Sequence, residues 1–530
     1  MKRVLLLLAL VIVSCAKEAV EVTPSREIHH GMIELGEKLE DPYTVENVER
    51  AVRSLYPTKA DRVDIHPTDL YVRFLPATDA DLAALEELGL YLMDHPMDYR
   101  IAREGDYYHD PTVADESITW QYAVVPRDFD FPSGLKYEIL DRCYISEHDL
   151  TTRASAPDID WGLVEREAFR LTGNEAMLEP AVKADAGTPQ GRITLLDPHY
   201  AGGKPVGVSG VMVACNVFVK IATAYTDRNG YYKMSKSFSS NPRYRLVFKN
   251  DAGFSIGFNF ILIPASVSTL GSGTPSGVDY TVTEDDDAWL FRRTAVNNAA
   301  WDYISRCTPQ DLDISAPPQD LRIWILPFLK ESSTPMLHHG TVVDADIVKE
   351  YVGSYAPVVS MFLPDMTIGT SEGATFADIY ARTVHEMAHA SHFSKTGSSL
   401  WTPYVAYILK SFVLDGGTPY GNGPDSGFAS GVELFRKGAG MCEIGEMWAY
   451  FLGDSMNKER YGGAMPSYSA SLWFRPEILG YLYERGFLRS EIFKALGADV
   501  YDLSTFKTRL CSLYPERQWL VNQTFSAYGK

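Results

Sequence analysis

The chain reads as a multidomain α+β protein: a small N-terminal α/β unit, a central β-sandwich and a C-terminal, mostly helical domain. Three observations predict this. At 530 residues the chain is too long for one compact core. Residues 191–264 are dense in β-branched side chains, with Val206, Val208, Val211, Val213, Val217 and Val219 close together. Beyond residue 363 helical patterns dominate to the C-terminus.

The composition, 45% hydrophobic, 12% aromatic and 22% charged, is that of a folded soluble protein. A net charge of −20 argues against a nucleic-acid partner, because phosphates repel an acidic surface. Met1-Lys2-Arg3 followed by the apolar run Val4 to Val13 has the layout of a signal peptide. That run is too short to span a bilayer, and no other stretch reaches the roughly 18 apolar residues needed. Ile12-Val13-Ser14-Cys15 resembles the lipobox of bacterial lipoproteins. The resemblance implies cleavage before Cys15, diacylation of Cys15 and a membrane partner reached through that anchor. The alternative is an ordinary secretory signal that carries a cysteine. Ala16 stands where an Asp would imply inner-membrane retention, so the expected location is the outer membrane, facing the periplasm or the cell exterior. The five remaining cysteines, Cys143, Cys215, Cys307, Cys442 and Cys511, are odd in number and lack CxxC spacing. They predict neither a disulfide framework nor a cysteine metal site.

After the signal at 1–15, residues 16–42 are polar and read as a tether. Residues 43–190 form the N-terminal region, of unknown role. There Leu70–Leu75 reads as a strand, Thr78–Leu88 as a helix capped by Thr78 and Asp81, and Leu90–Met93 as a returning strand. Asp106 to Tyr144 reads as aromatic and loop-rich, and Asp160–Leu171 as a short helix. Within the central domain, 191–265, Thr226 to Tyr232 reads as a hairpin turn, with strands at Tyr244–Phe248 and Phe254–Leu262. Pro205-Val206-x-Val208, Thr226-Asp227-x-x-Gly230-x-Tyr232 and Tyr244-x-Leu246-x-Phe248 together resemble the transthyretin-like regulatory domain found beside carboxypeptidases. That resemblance implies a structural or adhesive module without chemistry of its own. Residues 266–283, rich in Ser, Gly, Thr and Pro, read as a linker. The last domain, 284–530, opens on Glu284-Asp285-Asp286-Asp287, read as a helix cap before the helix Ala288–Arg306. Strands are expected at Leu321–Phe328 and Val358–Leu363.

His385-Glu386-Met387-Ala388-His389 carries the clearest chemical signal. Two histidines four residues apart share one helix face and can reach one metal ion, with a carboxylate between them for proton transfer. Only roughly 0.02 accidental copies of such a pattern are expected in this composition. Its surroundings agree: Thr375 and Asp378 form a capping pair, Gly397 follows the end, and Phe376, Ile379, Tyr380, Thr383, Val384 and Met387 make a buried stripe. A preceding strand, as at 358–363, can hold an extended substrate by strand addition.

A third protein ligand is needed, since catalytic zinc has three and an open position. His392 lies seven residues from His385, about 10.5 Å along a helix axis, too far for one straight helix to bring to the same ion. Gly440 to Tyr450 reads as a helix bearing Glu443 and Glu446, with Gly445 and Ala449 allowing close packing. Glu446-Met447-Trp448-Ala449 resembles the E-x-[FW]-A segment of gluzincins. With His385-Glu386-x-x-His389 the resemblance is to gluzincin zinc metallopeptidases, carried by the catalytic helices, about a fifth of the chain. It implies a zincin-like fold for 284–530, Zn2+ held by His385, His389 and Glu446, and Glu386 as general base hydrolysing a peptide or protein substrate. Glu443 remains the other ligand candidate, or a residue orienting a ligand histidine. An oxyanion donor is expected among Tyr450, Tyr461, Tyr468 and His392, with His338-His339 weaker. The competing readings are a catalytically silent peptide- or surface-binding lipoprotein on a peptidase fold, and an adhesive protein with an accidental motif.

Overall fold

The computed structural model describes residues 32–58, 63–105, 107–114, 117–149, 152, 156, 158–178, 187–257, 265–284, 286, 288–327, 332–341, 364–414, 423, 433–463 and 472–530. Cys15, Tyr468 and the strand expected at 358–363 lie outside these residues. The protein is mixed α+β, with several sheets and a helical C-terminal third. Among the described residues no helix is long and apolar enough to cross a membrane.

The N-terminal unit is β1 (Glu34–Lys38), α1 (Val45–Leu55), β2 (Asp69–Leu75), α2 (Asp79–Glu87), β3 (Tyr99–Arg103), β4 (Gln121–Pro126), β5 (Lys136–Cys143) and α3 (Trp161–Leu171). Thr78 caps α2 in a reciprocal box with Asp81, as the sequence predicts, and Asp160 caps α3 through Leu163 N. Other expectations fail. β2 is the central strand of an antiparallel sheet ordered β4-β2-β5, both of whose outer strands come from the stretch read as loop. Exposed Tyr137, Ile139 and Leu140 spoil the alternation of β5. Leu90–Met93 is no strand: only Met93 makes a bridge, to Tyr122. β1 lies inside the segment read as tether and pairs with β3.

The central strands are β6 (Gln190–Leu195), β7 (Val206–Gly207), β8 (Val211–Val217), β9 (Lys220–Tyr225), β10 (Tyr231–Lys233), β11 (Arg243–Asn250), β12 (Phe254–Ile256), β13 (Val267–Ser272) and β14 (Tyr280–Val282). The turn at 226–232 forms, with Asp227 accepting from Asn229 N and Tyr231 N, but it is not a hairpin. β9 stays in the large sheet while β10 crosses to pair with β6. Gly230 permits the crossing: its φ is +76°, and a Cβ there would fall 1.9 Å from Ile193 O. The stretch read as a linker supplies β13, which pairs with β11.

α4 (Ala288–Arg306), β15 (Leu321–Leu326) and β16 (Met366–Gly369) follow. The Asp286 carboxylate accepts from Tyr280 OH and Thr283 N, both at 2.6 Å. β15 lies parallel to β12 and to β16. One seven-stranded sheet, in path order β16-β15-β12-β11-β8-β9 with β13 on β11, therefore runs through the expected boundaries at 265 and 284. The rest is helical: α5 (Phe376–Thr396), α6 (Ser398–Leu414), α7 (Glu433–Tyr461), α8 (Glu477–Glu484), α9 (Arg489–Ala495), α10 (Leu503–Leu513) and α11 (Gln518–Ala527).

Candidate metal site

α5 carries the HExxH residues, and its ends form as the sequence predicts. Thr375 and Asp378 make a complete capping box, and Gly397 closes the helix at φ 76°. Tyr303 OH donates to Ser391 Oγ at 2.8 Å and Tyr380 OH to Asp302 at 2.7 Å, fixing α5 to α4. Arg382 donates to Gly369 O at 2.8 Å, tying α5 to the end of β16. On its other side α5 meets α7, where Gly453 permits close approach: a Cβ there would lie 3.4 Å from His385 Cβ.

This packing brings Glu446 to the two histidines. Glu446 Oε2 lies 3.5 Å from His385 Nε2 and 3.5 Å from His389 Nε2, and the two nitrogens are 3.2 Å apart. Ligand atoms ~2.0–2.2 Å from one ion at tetrahedral angles stand roughly 3.3–3.6 Å from each other, so these three atoms fit a zinc-sized cation. Glu386 also has an oxygen in the same cluster as the two histidines. It is farther from His385 Nε2, at 3.9 Å, than Glu446 is, which makes it the poorer ligand.

Electrostatics follow the same grouping. Burial pushes the Glu446 carboxyl up, but the two imidazoles outweigh it and hold its pKa at about 2. Burial pulls His385 down, and Glu446 and Glu386 more than reverse this, leaving it raised. Burial raises Glu386, against the pull of both histidines and Thr334.

Two supporting residues escaped the sequence reading. Tyr404 OH on α6 donates to Glu446 Oε1 at 2.6 Å. Thr334 Oγ1 donates to Glu386 Oε2 at 2.7 Å, and Trp401 Nε1 secures Thr334 by donating to its carbonyl at 3.0 Å. Both reach the site from 42 or more residues away, so no local spacing reveals them. Asp454 was readable: it continues the face of Glu446 and Tyr450 at four-residue steps. Burial raises its carboxyl to about 7 against the opposing pull of His385.

The remaining expected residues separate. Tyr450 packs edge-on to the His385 ring at 4.6 Å. Tyr461 is not at the site; its hydroxyl donates to Asp197 at 2.7 Å and its ring meets Tyr380. Glu443 Oε1 accepts from the Lys530 ammonium at 2.7 Å. It does not orient a ligand histidine through His389 Nδ1, which has no hydrogen-bond partner among the described residues. His392 packs against Trp401 at 5.6 Å, and burial together with the neighbouring His389 lowers its pKa to about 3, leaving it neutral at pH 7. His338 and His339 pair with Asp320 and Asp365 at 3.0 and 2.9 Å. No protein-family model, curated protein or solved structure matches the chain.

Proposed function

We propose that this protein is a lipid-anchored, zinc-dependent peptidase of gluzincin type, in which His385, His389 and Glu446 hold the ion and Glu386 moves the protons. The observation that carries the reading is the set of nearly equal separations, 3.2, 3.5 and 3.5 Å, among two imidazole nitrogens and one carboxylate oxygen. Bound zinc would supply an acidified water and a polarised carbonyl. Glu386 then accepts the proton of the attacking water and returns it to the departing amine. The Thr334 hydroxyl fixes one oxygen of that carboxylate at 2.7 Å. Tyr404, bonded at 2.6 Å, orients Glu446. Tyr450, packed on His385, is the oxyanion donor that fits best among those considered.

Ser333 already pairs antiparallel with Thr367 along the outer edge of β16, through bonds of 3.0 and 2.8 Å. An extended peptide would therefore add to the 332–334 segment rather than to β16 itself. Support for the anchor is the lipobox-like sequence ending at Cys15, and Ala16 after it favours the outer membrane.

Glu386→Gln tests the assignment against a silent binding protein. The expected outcome is wild-type zinc content with cleavage of a mixed peptide library lowered by roughly 10²–10⁴-fold. Unchanged cleavage would remove Glu386 from the mechanism, and no chelator-sensitive cleavage by the wild type would favour the silent protein.

A further inference from the structure

The central sheet holds a second polar cluster that shares no residue with the candidate metal site. Arg243, Arg245, Val247 and Lys249 follow one another at two-residue steps on β11 and so share one face. They form one wall of a cavity of about 140 Å³, closed on the other side by the segment from Gly89 to His95. This is several times the space that one water needs.

The outer two cations have counter-charges. Arg243 pairs with Glu104, and Lys249 Nζ lies 2.5 Å from Glu86. Arg245 between them is only 4% exposed and has neutral partners. Its Nη2 donates to Asn216 Oδ1 at 2.6 Å and meets the Met93 sulfur at 3.8 Å. Its Nε has no acceptor among the described residues. Asp94 also lines the cavity, but its two oxygens are engaged by the His95 ring at 2.8 Å and the Tyr108 amide at 2.6 Å. A buried guanidinium with no ion pair among the described residues is costly, and its planar fork matches a carboxylate. Much of the remaining wall is apolar: Leu92, Met212, Val247, Ala265 and Val267.

We propose that this cavity binds a small organic carboxylate with an apolar body, its carboxylate on Arg245 and its body against the apolar wall. The ligand comes from an acyl chain or from the C-terminus of an apolar peptide, which present the same chemistry. The site is independent of the peptidase reading and stands or falls without it.

Calorimetric titration of the full chain with hexanoate and with N-acetyl-leucine separates the two sources. Saturable binding of one or both acids is expected, with hexanamide and N-acetyl-leucinamide weaker by roughly tenfold or more. Arg245→Met should weaken the acids by a similar factor while leaving the amides unchanged. Hydrogen exchange of the wild type with ligand should show protection at residues 89–95 and 243–249. If Arg245→Met loses its cooperative melt, the acid–amide comparison and the exchange map in the wild type decide. Absence of binding by both acids, equal binding of acid and amide, or protection confined elsewhere would overturn the proposal.

Discussion

The Thr334 hydroxyl holds the Glu386 carboxylate, and its removal leaves a side chain of nearly the same shape. Thr334→Val should lower kcat for peptide cleavage roughly tenfold with zinc content unchanged, since residues supporting a metal site contribute on that scale. Thr334→Ser should restore it. An equal loss in both variants would mean that Thr334 only packs. Asp41 allows a pH prediction apart from the metal chemistry. Burial pushes its carboxyl up to about 7, against the Tyr43 amide that donates to it at 2.8 Å. An unfolded Asp titrates near ~3.9, so the unfolded chain ionises first as pH rises. This side chain's contribution to stability is therefore full below about pH 4, falls between about pH 4 and 7, and is level above, with a total drop of at most about 4 kcal/mol. Asp41→Asn should flatten that part of the melting-temperature profile. An unchanged slope would place the proton elsewhere.

At the level of elements, helices with local signals were legible. α2 and α5 begin at a cap read from sequence, because a capping side chain and its target amide are three residues apart. The HExxH pair was legible for the same reason, and Glu446 because its helix carries a recognisable segment. Strands were less legible. β4 and β5 lie in a stretch read as loop, although Pro132-Ser133-Gly134 between them is turn chemistry and Gly134 takes φ +89°; both strands are held by the two edges of β2. β13 reads as a linker by composition, yet it is held by β11. The 226–232 turn looks like a hairpin locally, but the partner of β10 is β6, a pairing decided by tertiary packing. Thr334 and Tyr404 were invisible because their contacts with Glu386 and Glu446 span 52 and 42 residues.

Across the whole molecule, the N-terminal unit is tied to the large sheet by a buried charge. Lys220 on β9 is 1% exposed and pairs with Glu147 at 2.7 Å and with Glu165 on α3 at 3.4 Å. Its removal leaves two partly buried carboxylates without their cation, so Lys220→Met should destabilise the protein by about 3–5 kcal/mol in denaturant unfolding. A change below about 1 kcal/mol would show that this junction contributes little. The same long-range packing assembles the site, joining α5 to α7 so that Glu446 reaches His385 and His389. Metal analysis of the purified full chain, wild type beside Glu446→Ala, tests that convergence most directly. One zinc ion per wild-type chain and a large loss in the variant are expected; no stoichiometric metal in the wild type, or full occupancy without the Glu446 carboxylate, would contradict the account.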